Sequence, residues 1–452
     1  MDTLLRTLGC AHATAREGDE PVSHHLAGMP ATEEDRWRII QARRLDQSLH
    51  TSQALVRAFR KLHSKSPIAC EPQRLGIVLA SERGDQAALV RRMRDFAVTR
   101  EQSGKAEPDL FRSISYFPVG RVIKTLGDTV GCLGPRVSVS GGRSAAIAVA
   151  ECLLKSGRAE QILLAQAEIS EDAQGAQASL ELLGNGAPAI PPMRLVVVAT
   201  ASCPQDHGDT CAGLLRSTLD MLSAHTFARD TALIVCSMLG NAGELLYAQV
   251  APRDPGPSLE ESLREIAANK GFGQCYTFVG SSGGAMVGLA LAHDLIALGR
   301  ARKVVVCGVD LVEGALSGAL QLLRCPDLPH MSGGAVALVL QSSGADHTPG
   351  LVEIGDIKLG ASEARKNQAP YTVATEPRSI VLSGLNSLDL QNAELAAETR
   401  WPGITKYNRG QERHVGGDVL ELVCRYSSMK LPAVIVAAHG LGGDGEFVLY
   451  AA

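Results

Sequence analysis

A stretch of twenty-nine residues occurs twice in this chain, and this repeat constrains the fold more than any other feature. Residues 140–168 align without a gap with residues 282–310, at a constant offset of 142, and nine of the twenty-nine positions are identical. The shared residues include Ser140 and Ser282, the two glycines after each serine, and a Gly-Arg-Ala sequence farther along. An unbroken offset over this length indicates an internal duplication, so the same supersecondary unit is expected twice.

Each copy has the pattern of a βαβ unit. In both copies a short apolar run, a glycine turn, a helix of small residues and a second apolar run follow one another, over 136–168 and 275–310. A helical pattern and another apolar run precede each copy. Short β-branched runs are typical of strands that are covered on both faces of a sheet. Together with only 4% aromatic residues, this pattern predicts the α/β class.

The pattern along the chain divides it into four parts. Residues 1–41 are a polar N-terminal segment, residues 42–202 hold the first copy, and residues 213–345 hold the second copy. Residues 351–452 form a C-terminal region with three strand-like runs and one helical run. The segment 203–212 lies between the copies, and its composition favours a linker.

Composition and charge exclude several classes of protein. The formal charge of -4 argues against a basic surface for nucleic acid or for an anionic membrane. No apolar stretch reaches the roughly 20 residues of a membrane span, and the N-terminus lacks the apolar core of a secretory signal. The eleven cysteines are scattered singly, without the spacing of a zinc site. We therefore expect a cytoplasmic protein with reduced cysteines and with neither metal nor cofactor.

The turn before each duplicated helix is the main candidate for a functional site. A serine at the end of a strand, followed by glycines, stands at the amino end of a helix, where free N–H groups and the helix dipole stabilise an anion. Ser282 and Ser140 occupy this position in the two copies. The alternative is that the small residues only allow a helix and a strand to pack closely, and composition alone favours that alternative.

Two other site patterns are weaker. Residues 280–284 satisfy the G-x-S-x-G pattern of the α/β-hydrolases, for which Asp310 and His439 could complete a triad, but neither has a distinctive context. Residues 440–445 match G-x-G-x-x-G, but a strand-like run follows them instead of the helix that a dinucleotide site needs. We reject the dinucleotide interpretation and keep the hydrolase as a third alternative.

The chain resembles the β-ketoacyl-acyl-carrier-protein synthases over about 42–202 and 213–452. In that family the nucleophilic cysteine lies on a strand-to-helix turn, seventeen residues before the glycine that ends the helix. The same spacing separates Ser140 from Gly157 and Ser282 from Gly299. Three C-terminal segments resemble the half of the family that carries its histidines: 383–394, 406–418 and 439–450. The resemblance implies a thiolase-like layered αβαβα fold.

The catalytic residues of the family are replaced in this chain. Serine stands at the cysteine position in both copies, as Ser140 and Ser282, and the two histidine positions hold Ser383 and Gln411. The family's lysine is retained as Lys406. A serine hydroxyl needs a positioned base to react at neutral pH, and neither replacement for histidine titrates there. The resemblance therefore implies that standard decarboxylative condensation is lost.

The count of half-units also departs from the family, whose members have one half that carries the nucleophile and one that carries the histidines. This chain has two of the former. In one arrangement the first copy is a degenerate partner for the rest of the chain. In the other, the two copies form one body and the C-terminal region is an addition.

Two functions are compatible with these replacements. The leading hypothesis, from the resemblance, is a non-condensing subunit similar to the chain-length factors. It would form a homo- or heterodimer with an active ketosynthase, with an acyl carrier protein and an acyl-thioester chain as further partners, in polyketide or fatty-acid-like biosynthesis. The alternative is an acyltransferase in which Ser282 becomes acylated, with Lys406 or His414 assisting. Whether the protein is an enzyme stays open between them.

Overall fold

A computed structural model of the protein describes a set of ranges, and all structural statements below concern these residues. They are 6–16, 50–80, 123, 126–140, 142–169, 175–184, 193–207, 210–237, 259–279, 282–311, 330–343, 350–360, 379–384, 405–408, 412–414, 418–427, 433–439 and 445–451. The chain forms two compact units, Met1–Pro188 and Ala189–Ala452.

The strands and helices that the structure bounds in the first unit form what we name the first half. In chain order these are β1 (Arg6–Arg16), α1 (His50–His63), β2 (Leu75–Ala80), β3 (Arg136–Ser140), α2 (Gly142–Lys155), β4 (Gln161–Ile169) and β5 (Gly175–Gly184). The strands lie side by side in the order β1-β5-β4-β2-β3. Strands β2, β3 and β4 are parallel, and β5 is antiparallel to both of its neighbours.

Strand β1 lies inside the N-terminal segment that the sequence analysis treats as merely polar. Its alternate residues Ala11, Ala13 and Ala15 are buried, whereas His12 and Thr14 are exposed. The period of two is that of a half-buried strand, but its apolar members are alanines, so the hydrophobic pattern is faint. The strand forms because β5 offers a complete ladder of antiparallel partners.

The second unit begins with a set of elements that we name the second half. In chain order these are β6 (Leu195–Pro204), α3 (Cys211–Met221), β7 (Thr231–Ser237), α4 (Leu259–Lys270), β8 (Gln274–Val279), α5 (Ser282–Ala297), β9 (Lys303–Asp310) and β11 (Gly334–Ser342). Their order across the sheet is β6-β11-β9-β7-β8, with β7, β8 and β9 parallel and β11 antiparallel to its neighbours. This repeats the order and directions of the first half.

The C-terminal region repeats the arrangement once more, and we name it the third half. Its elements are β12 (Val352–Leu359), β13 (Ser379–Gly384), β14 (Thr405–Asn408), α6 (Asp418–Ser427), β16 (Val434–His439) and β17 (Gly445–Ala451). They form the order β12-β17-β16-β13-β14 with the same directions. A short parallel pair, β10 (His330–Ser332) and β15 (Glu412–His414), lies beside this pattern.

The second and third halves are joined at their first strands. Residues Leu195–Val197 of β6 pair antiparallel with Val352–Ile354 of β12. The residues that the sequence favours as a linker, 203–212, instead hold the end of β6, a short 3-10 turn and the Thr210 cap of α3. The strand β6 therefore belongs with the second unit, whereas the sequence analysis places its residues in the first copy.

The described part of the second unit has four alternating layers. Helices α3 and α4 pack on the outer face of the second half's sheet, in one core with residues such as Val305 and Cys307. Helix α5 packs on the opposite face, and it also contacts α6 and strands β12, β16 and β17. Helices α5 and α6 thus lie between two sheets, which is the predicted thiolase-like layering. The prediction of an α/β fold with duplicated halves is confirmed.

The shared Gly-Arg-Ala sequence ends both duplicated helices in the same way. Gly157 and Gly299 have φ angles of 70° and 68°. The following N–H groups of Arg158 and Arg300 donate to carbonyls in the last turn, at 3.0 Å and 2.8 Å. This is a Schellman cap, which favours glycine because its residue has left-handed backbone angles. The spacing from serine to glycine therefore marks the length of each helix.

Candidate functional site

The amino end of α5 lies at the edge of the sheet where three parallel strands end. Strands β7, β8 and β9 run in the same direction, and Ser237, Val279 and Asp310 are their last residues. Helix α5 then begins at Ser282, as the sequence predicts. Its first N–H groups have no partners within the helix, and they carry the positive end of the helix dipole. The structure describes the backbone of Ser282 and not its side chain.

Two hydrogen bonds join the strand ends to each other and to α5. The Ser237 hydroxyl donates to Asp310 Oδ1 at 2.9 Å, and both residues are fully buried. The Cys236 thiol donates to the carbonyl oxygen of Gly284 in the first turn of α5, at 3.4 Å. These contacts hold the carboxyl ends of β7 and β9 and the start of α5 in one arrangement. A buried carboxylate at this edge places a negative group close to the strand ends.

The cysteines of this half are not poised to form thiolates. Burial raises the pKa of the Cys236 thiol, and the neighbouring Asp310 carboxylate raises it further. Burial also raises the pKa of Cys307 well above its usual value, and that of Cys275 to about 12. A thiol with such a pKa is almost wholly protonated at pH 7, so it is neither a nucleophile nor a metal ligand there. All ten described cysteines are free.

Glycines in α5 have two different roles. A Cβ atom at Gly288 would lie 2.8 Å from Cys236 Sγ and 3.3 Å from Ile234 Cγ2, so glycine there lets the helix approach β7 closely. The expectation that small residues serve packing therefore holds at Gly288. At Gly284 an added Cβ atom would meet no described atom within 4 Å, although the residue is buried. The described atoms therefore leave space beside Gly284 in the first turn of α5.

The equivalent turn in the first half is filled differently. Ser140 is the last residue of β3, and Gly142 opens α2 with a φ angle of 71°. Arg143, in the first turn of α2, binds Glu181 of β5 through its Nη2 atom at 2.7 Å and 2.9 Å and through Nε at 3.1 Å. The second half has alanine, Ala285, at the position of Arg143. A guanidinium therefore stands at one helix start and an alanine at the other.

The structure brings one of the C-terminal candidates toward the start of α5. Ser383, near the end of β13, is in register with Ala438 of β16, which in turn pairs with Gly445 of β17. A side chain at Gly445 would meet Met286 in the first turn of α5. Ser383 and Ser282 thus belong to neighbouring parts of one body. The side chain of Ser383 lies outside the described atoms.

The remaining candidates are placed only by their backbone. Lys406 lies in β14 opposite Ile380, three residues before Ser383 along the neighbouring strand, which is about 10 Å. His414 is the last residue of β15 and is in register with Ser332 of β10. Gln411 lies outside the described residues. No described contact joins these residues to Ser282.

The structure also places the residues of the hydrolase and dinucleotide patterns. Asp310 accepts a hydrogen bond from Ser237, and His439 is in register with Gly384 in the third half, so no described contact forms the triad of a hydrolase. Strand β17 begins at Gly445, the last glycine of the G-x-G-x-x-G pattern. A strand in this place confirms that the pattern is not a dinucleotide turn, which requires a helix.

Sequence reasoning did not single out the bond between Ser237 and Asp310. The available signal was that two apolar runs, 232–236 and 304–309, each end on a polar residue. Parallel strands end at a common edge, so polar residues in those places meet. Among the described residues, no group of three His, Cys, Asp or Glu side chains could hold a metal ion. None of the described helices is long and apolar enough to cross a bilayer.

Comparison with known proteins gives only distant likenesses. No known family matches the sequence, and no curated protein does. Among solved structures, the ishigamide ketosynthase/chain length factor is 13% identical with a TM-score of 0.44, over 58% of this chain and 100% of that one. The PfaC keto synthase-chain length factor is 10% identical with a TM-score of 0.42, over 99% of this chain and 62% of that one.

A ketosynthase domain of the oxazolomycin system from Streptomyces albus is a third likeness. It is 9% identical with a TM-score of 0.41, over 58% of this chain and 96% of that one. TM-scores below 0.5 do not carry an argument about function. The functional conclusion therefore depends on the residues of this chain.

Proposed function

We propose that this protein is a non-condensing partner subunit of an active β-ketoacyl synthase, similar in role to a chain-length factor. In this role it binds the synthase in a dimer and lies along the path of an acyl-thioester chain that an acyl carrier protein delivers. The proposal rests on the resemblance in sequence to the synthase family. It places the protein in polyketide or fatty-acid-like biosynthesis, in a soluble complex.

The observation that carries the proposal is the lack of a thiolate at the start of α5 within the described residues. Serine opens the helix, and burial raises the pKa of the cysteines on strands β7, β8 and β9. Thioester exchange in a condensation depends on a thiolate, and a hydroxyl reacts only when a base is positioned beside it. A body that keeps the helix and its packing without the nucleophile fits a partner better than a catalyst.

The replaced histidine positions support the same conclusion. Ser383 and Gln411 donate hydrogen bonds but do not exchange protons near pH 7. Removing one hydrogen-bond donor from an oxyanion site typically lowers the rate by roughly a hundredfold to a thousandfold. Three replaced positions together leave little of the condensation chemistry, whereas the packing of α5 against both sheets is intact.

Co-purification with a ketosynthase tests the proposal. The tagged full-length protein is expressed with the ketosynthase encoded beside it, and the complex is analysed by size-exclusion chromatography with light scattering. We expect a stable complex whose polyketide or acyl product depends on both subunits, and Ser282→Ala should leave product formation unchanged. A strictly monomeric protein that does not change the products of the synthase contradicts the proposal.

A second function is favoured by one specific observation, the space that the described atoms leave beside Gly284 at the start of α5. In this alternative Ser282 becomes acylated from an acyl thioester, with Lys406 or His414 as the assisting group. The Ser282 hydroxyl attacks the thioester carbonyl, the thiol leaves, and the assisting group takes the hydroxyl proton and returns it to the thiol. The product is an acyl ester on the protein.

Intact-mass measurement separates the two functions. The protein is incubated with acyl carrier protein thioesters and coenzyme A thioesters of several chain lengths. An acyl adduct that disappears in Ser282→Ala but persists in the matched variant Ser140→Ala supports the acyltransferase. Absence of any adduct, together with a stable complex with the synthase, supports the partner subunit.

A further inference from the structure

Two equivalent strands, β1 and β6, have different outer edges. Each is the first strand of its half, and each lies beside the antiparallel strand of that half, β5 or β11. The outer edge of β6 pairs with β12 and so continues into the third half. The outer edge of β1 is instead covered by side chains from α1 and from the residues just after it.

Three side chains donate hydrogen bonds to carbonyl oxygens of β1. Arg57 Nη1 donates to Thr14 at 2.9 Å, Lys61 Nζ donates to His12 at 3.2 Å, and Ser66 Oγ donates to Leu8 at 3.2 Å. His12 and Thr14 are two residues apart in a regular ladder, so their carbonyls belong to the same side of the strand, and Leu8 lies at the register shift between Thr7 and Gly9. Carbonyls on the free side of an edge strand are the groups that another strand would pair with.

Close packing adds to this cover. A Cβ atom at Gly9 would meet the side chain of Ser66, and it would lie 3.1 Å from Leu62 Cδ1 at the end of α1. The last turn of α1 and the residues after it therefore pack directly against β1. We name Arg57, Lys61 and Ser66 the edge seal.

The first residues of β6 and the residue just before them contact the third half. The backbone N–H of Leu351 donates to the carbonyl oxygen of Val197 at 2.8 Å. Beside it, Arg194 forms an ion pair with Glu353 at 2.9 Å and lies 4.2 Å from the centre of the Tyr450 ring. Both partners of Arg194 belong to the third half. The carbonyl of Leu8, which Ser66 covers, lies at the corresponding end of β1.

The central helices α2 and α5 differ in how far the equivalent residues are buried. In α5, Met286 and Leu289 are fully buried, and the helix packs against elements of the third half. The equivalent residues of α2 are Ser144 and Ile147, of which Ser144 is exposed and Ile147 is half-buried. About one and two turns beyond Ile147, Glu151 and Lys155 form an ion pair at 2.7 Å, with side chains about a fifth to a quarter exposed.

We propose that the edge seal and the polar face of α2 keep the first half from accepting a third half of another copy of this chain. They cover the edge of β1 at which a strand of that copy would pair. A chain with two equivalent acceptor strands needs such a device, because the same strand could otherwise be accepted at either of them.

The test removes the edge seal in the full-length protein. The variant Arg57→Ala/Lys61→Ala/Ser66→Ala exposes the three carbonyls and loosens the contact with Gly9. We expect the self-association constant, measured by sedimentation velocity over a concentration series, to rise roughly tenfold to a hundredfold, since each lost hydrogen bond changes an equilibrium by up to about a factor of ten. The single variant Lys61→Ala should change it in the same direction by less.

Two further variants make the result specific. The control Arg60→Ala/Lys65→Ala removes the same amount of charge from exposed positions of the same region and should leave self-association unchanged. Adding His12→Pro to the triple variant should reverse the effect, since proline on an edge strand removes an outward N–H that a new strand would need. The proposal is overturned if the self-association constant does not rise in the triple variant or rises equally in the control. It is also overturned if His12→Pro does not reverse the rise.

Discussion

The first and second halves have the same backbone plan but different surroundings. Both place five strands in the same order and directions, and both end their central helix with the same glycine cap. In the second half the central helix α5 lies between two sheets, whereas in the first half one face of α2 is partly exposed. The duplicated halves thus keep the same topology, whereas the side chains on their central helices differ according to whether the helix face is buried or exposed.

The turn before the helix shows the same divergence. In the first half Arg143, in the first turn of α2, forms an ion pair with Glu181. In the second half the same position is Ala285, and no described atom lies within 4 Å of a Cβ atom added at Gly284. A serine lies at the turn before the central helix in both, so the serine alone does not distinguish the two halves. Its surroundings do, and they make the second half the better candidate for binding.

The largest expected difference concerns truncation on the central helices. Leu289→Ala in α5 should lower local stability by about 2–5 kcal/mol, because a fully buried leucine leaves a cavity between two sheets. Ile147→Ala at the equivalent position of α2 should lower it by about 1 kcal/mol or less, because that side chain is already partly solvated. Hydrogen exchange of the amides in each helix measures both. Equal losses would mean that α2 is covered as α5 is.

A glycine and an alanine at equivalent positions provide the next comparison. Gly288→Ala should destabilise the second half by about 1–3 kcal/mol, since the added methyl group meets Cys236 Sγ at 2.8 Å. Ala146→Gly, the reverse change in the first half, should cost about 1 kcal/mol, chiefly through helix propensity. Peptide-resolved hydrogen exchange distinguishes the halves. A neutral Gly288→Ala would show that α5 does not approach β7 as closely as described.

The buried thiols predict a difference at alkaline pH. Folding raises the pKa of Cys70 and Cys132 in the first unit from 9.0 to about 11, and that of Cys275 and Cys424 in the second unit to about 12, in each case mainly through burial. Below pH 9 these thiols are protonated in both states. Above pH 9 the unfolded chain loses protons that the folded chain retains, so stability falls as pH rises. The loss is larger in the second unit because burial also raises the pKa of Cys236 and Cys307 there.

Peptide-resolved alkylation of cysteines in increasing urea, at pH 8.5 and pH 10, measures this effect. The urea midpoint for Cys275 should fall more between the two pH values than the midpoint for Cys70. Cys10, which is exposed, should react at all urea concentrations and serves as the internal control. Identical shifts for Cys275 and Cys70 would contradict the larger number of thiols with a raised pKa in the second unit.

The smallest expected effect concerns the ion pair at the start of α2. Arg143→Ala should change stability by less than about 1 kcal/mol, since half of the arginine side chain is exposed and solvent weakens the pair. A double-mutant cycle with Glu181→Ala, followed by thermal unfolding, measures the coupling between the two side chains. A coupling well above this value would give the pair a structural role that its exposure does not suggest.

Local patterns predicted much of the fold. The repeat, the β-branched runs and the glycine spacing identified the helices α2 and α5 and the strands on either side of each. These features depend on contacts within a few residues, such as the capping bonds at Gly157 and Gly299, so they are legible in one short segment. Strand β1 was missed because its buried residues are alanines, and its formation depends on β5 far along the chain.

The candidate site was predictable only in part. The helix start at Ser282 follows from the local pattern of strand, glycine turn and helix. The bond between Ser237 and Asp310 joins residues seventy-three positions apart, and no short-range pattern shows that they meet. The same holds for Ser383, which reaches the vicinity of α5 through the register of three strands.

The sequence by itself determined the duplication, the ends of the central helices and the serine at the turn before each of them. Only the tertiary structure decided that the C-terminal region is a third half with the same strand order, and that this half joins the second half through β6 and β12. The physical reason is that helix ends and turns are set by short-range sterics and hydrogen bonds. Which helix becomes buried depends on the surfaces that distant segments bring together, as when β6 and β12 pair and α5 is covered by the third half.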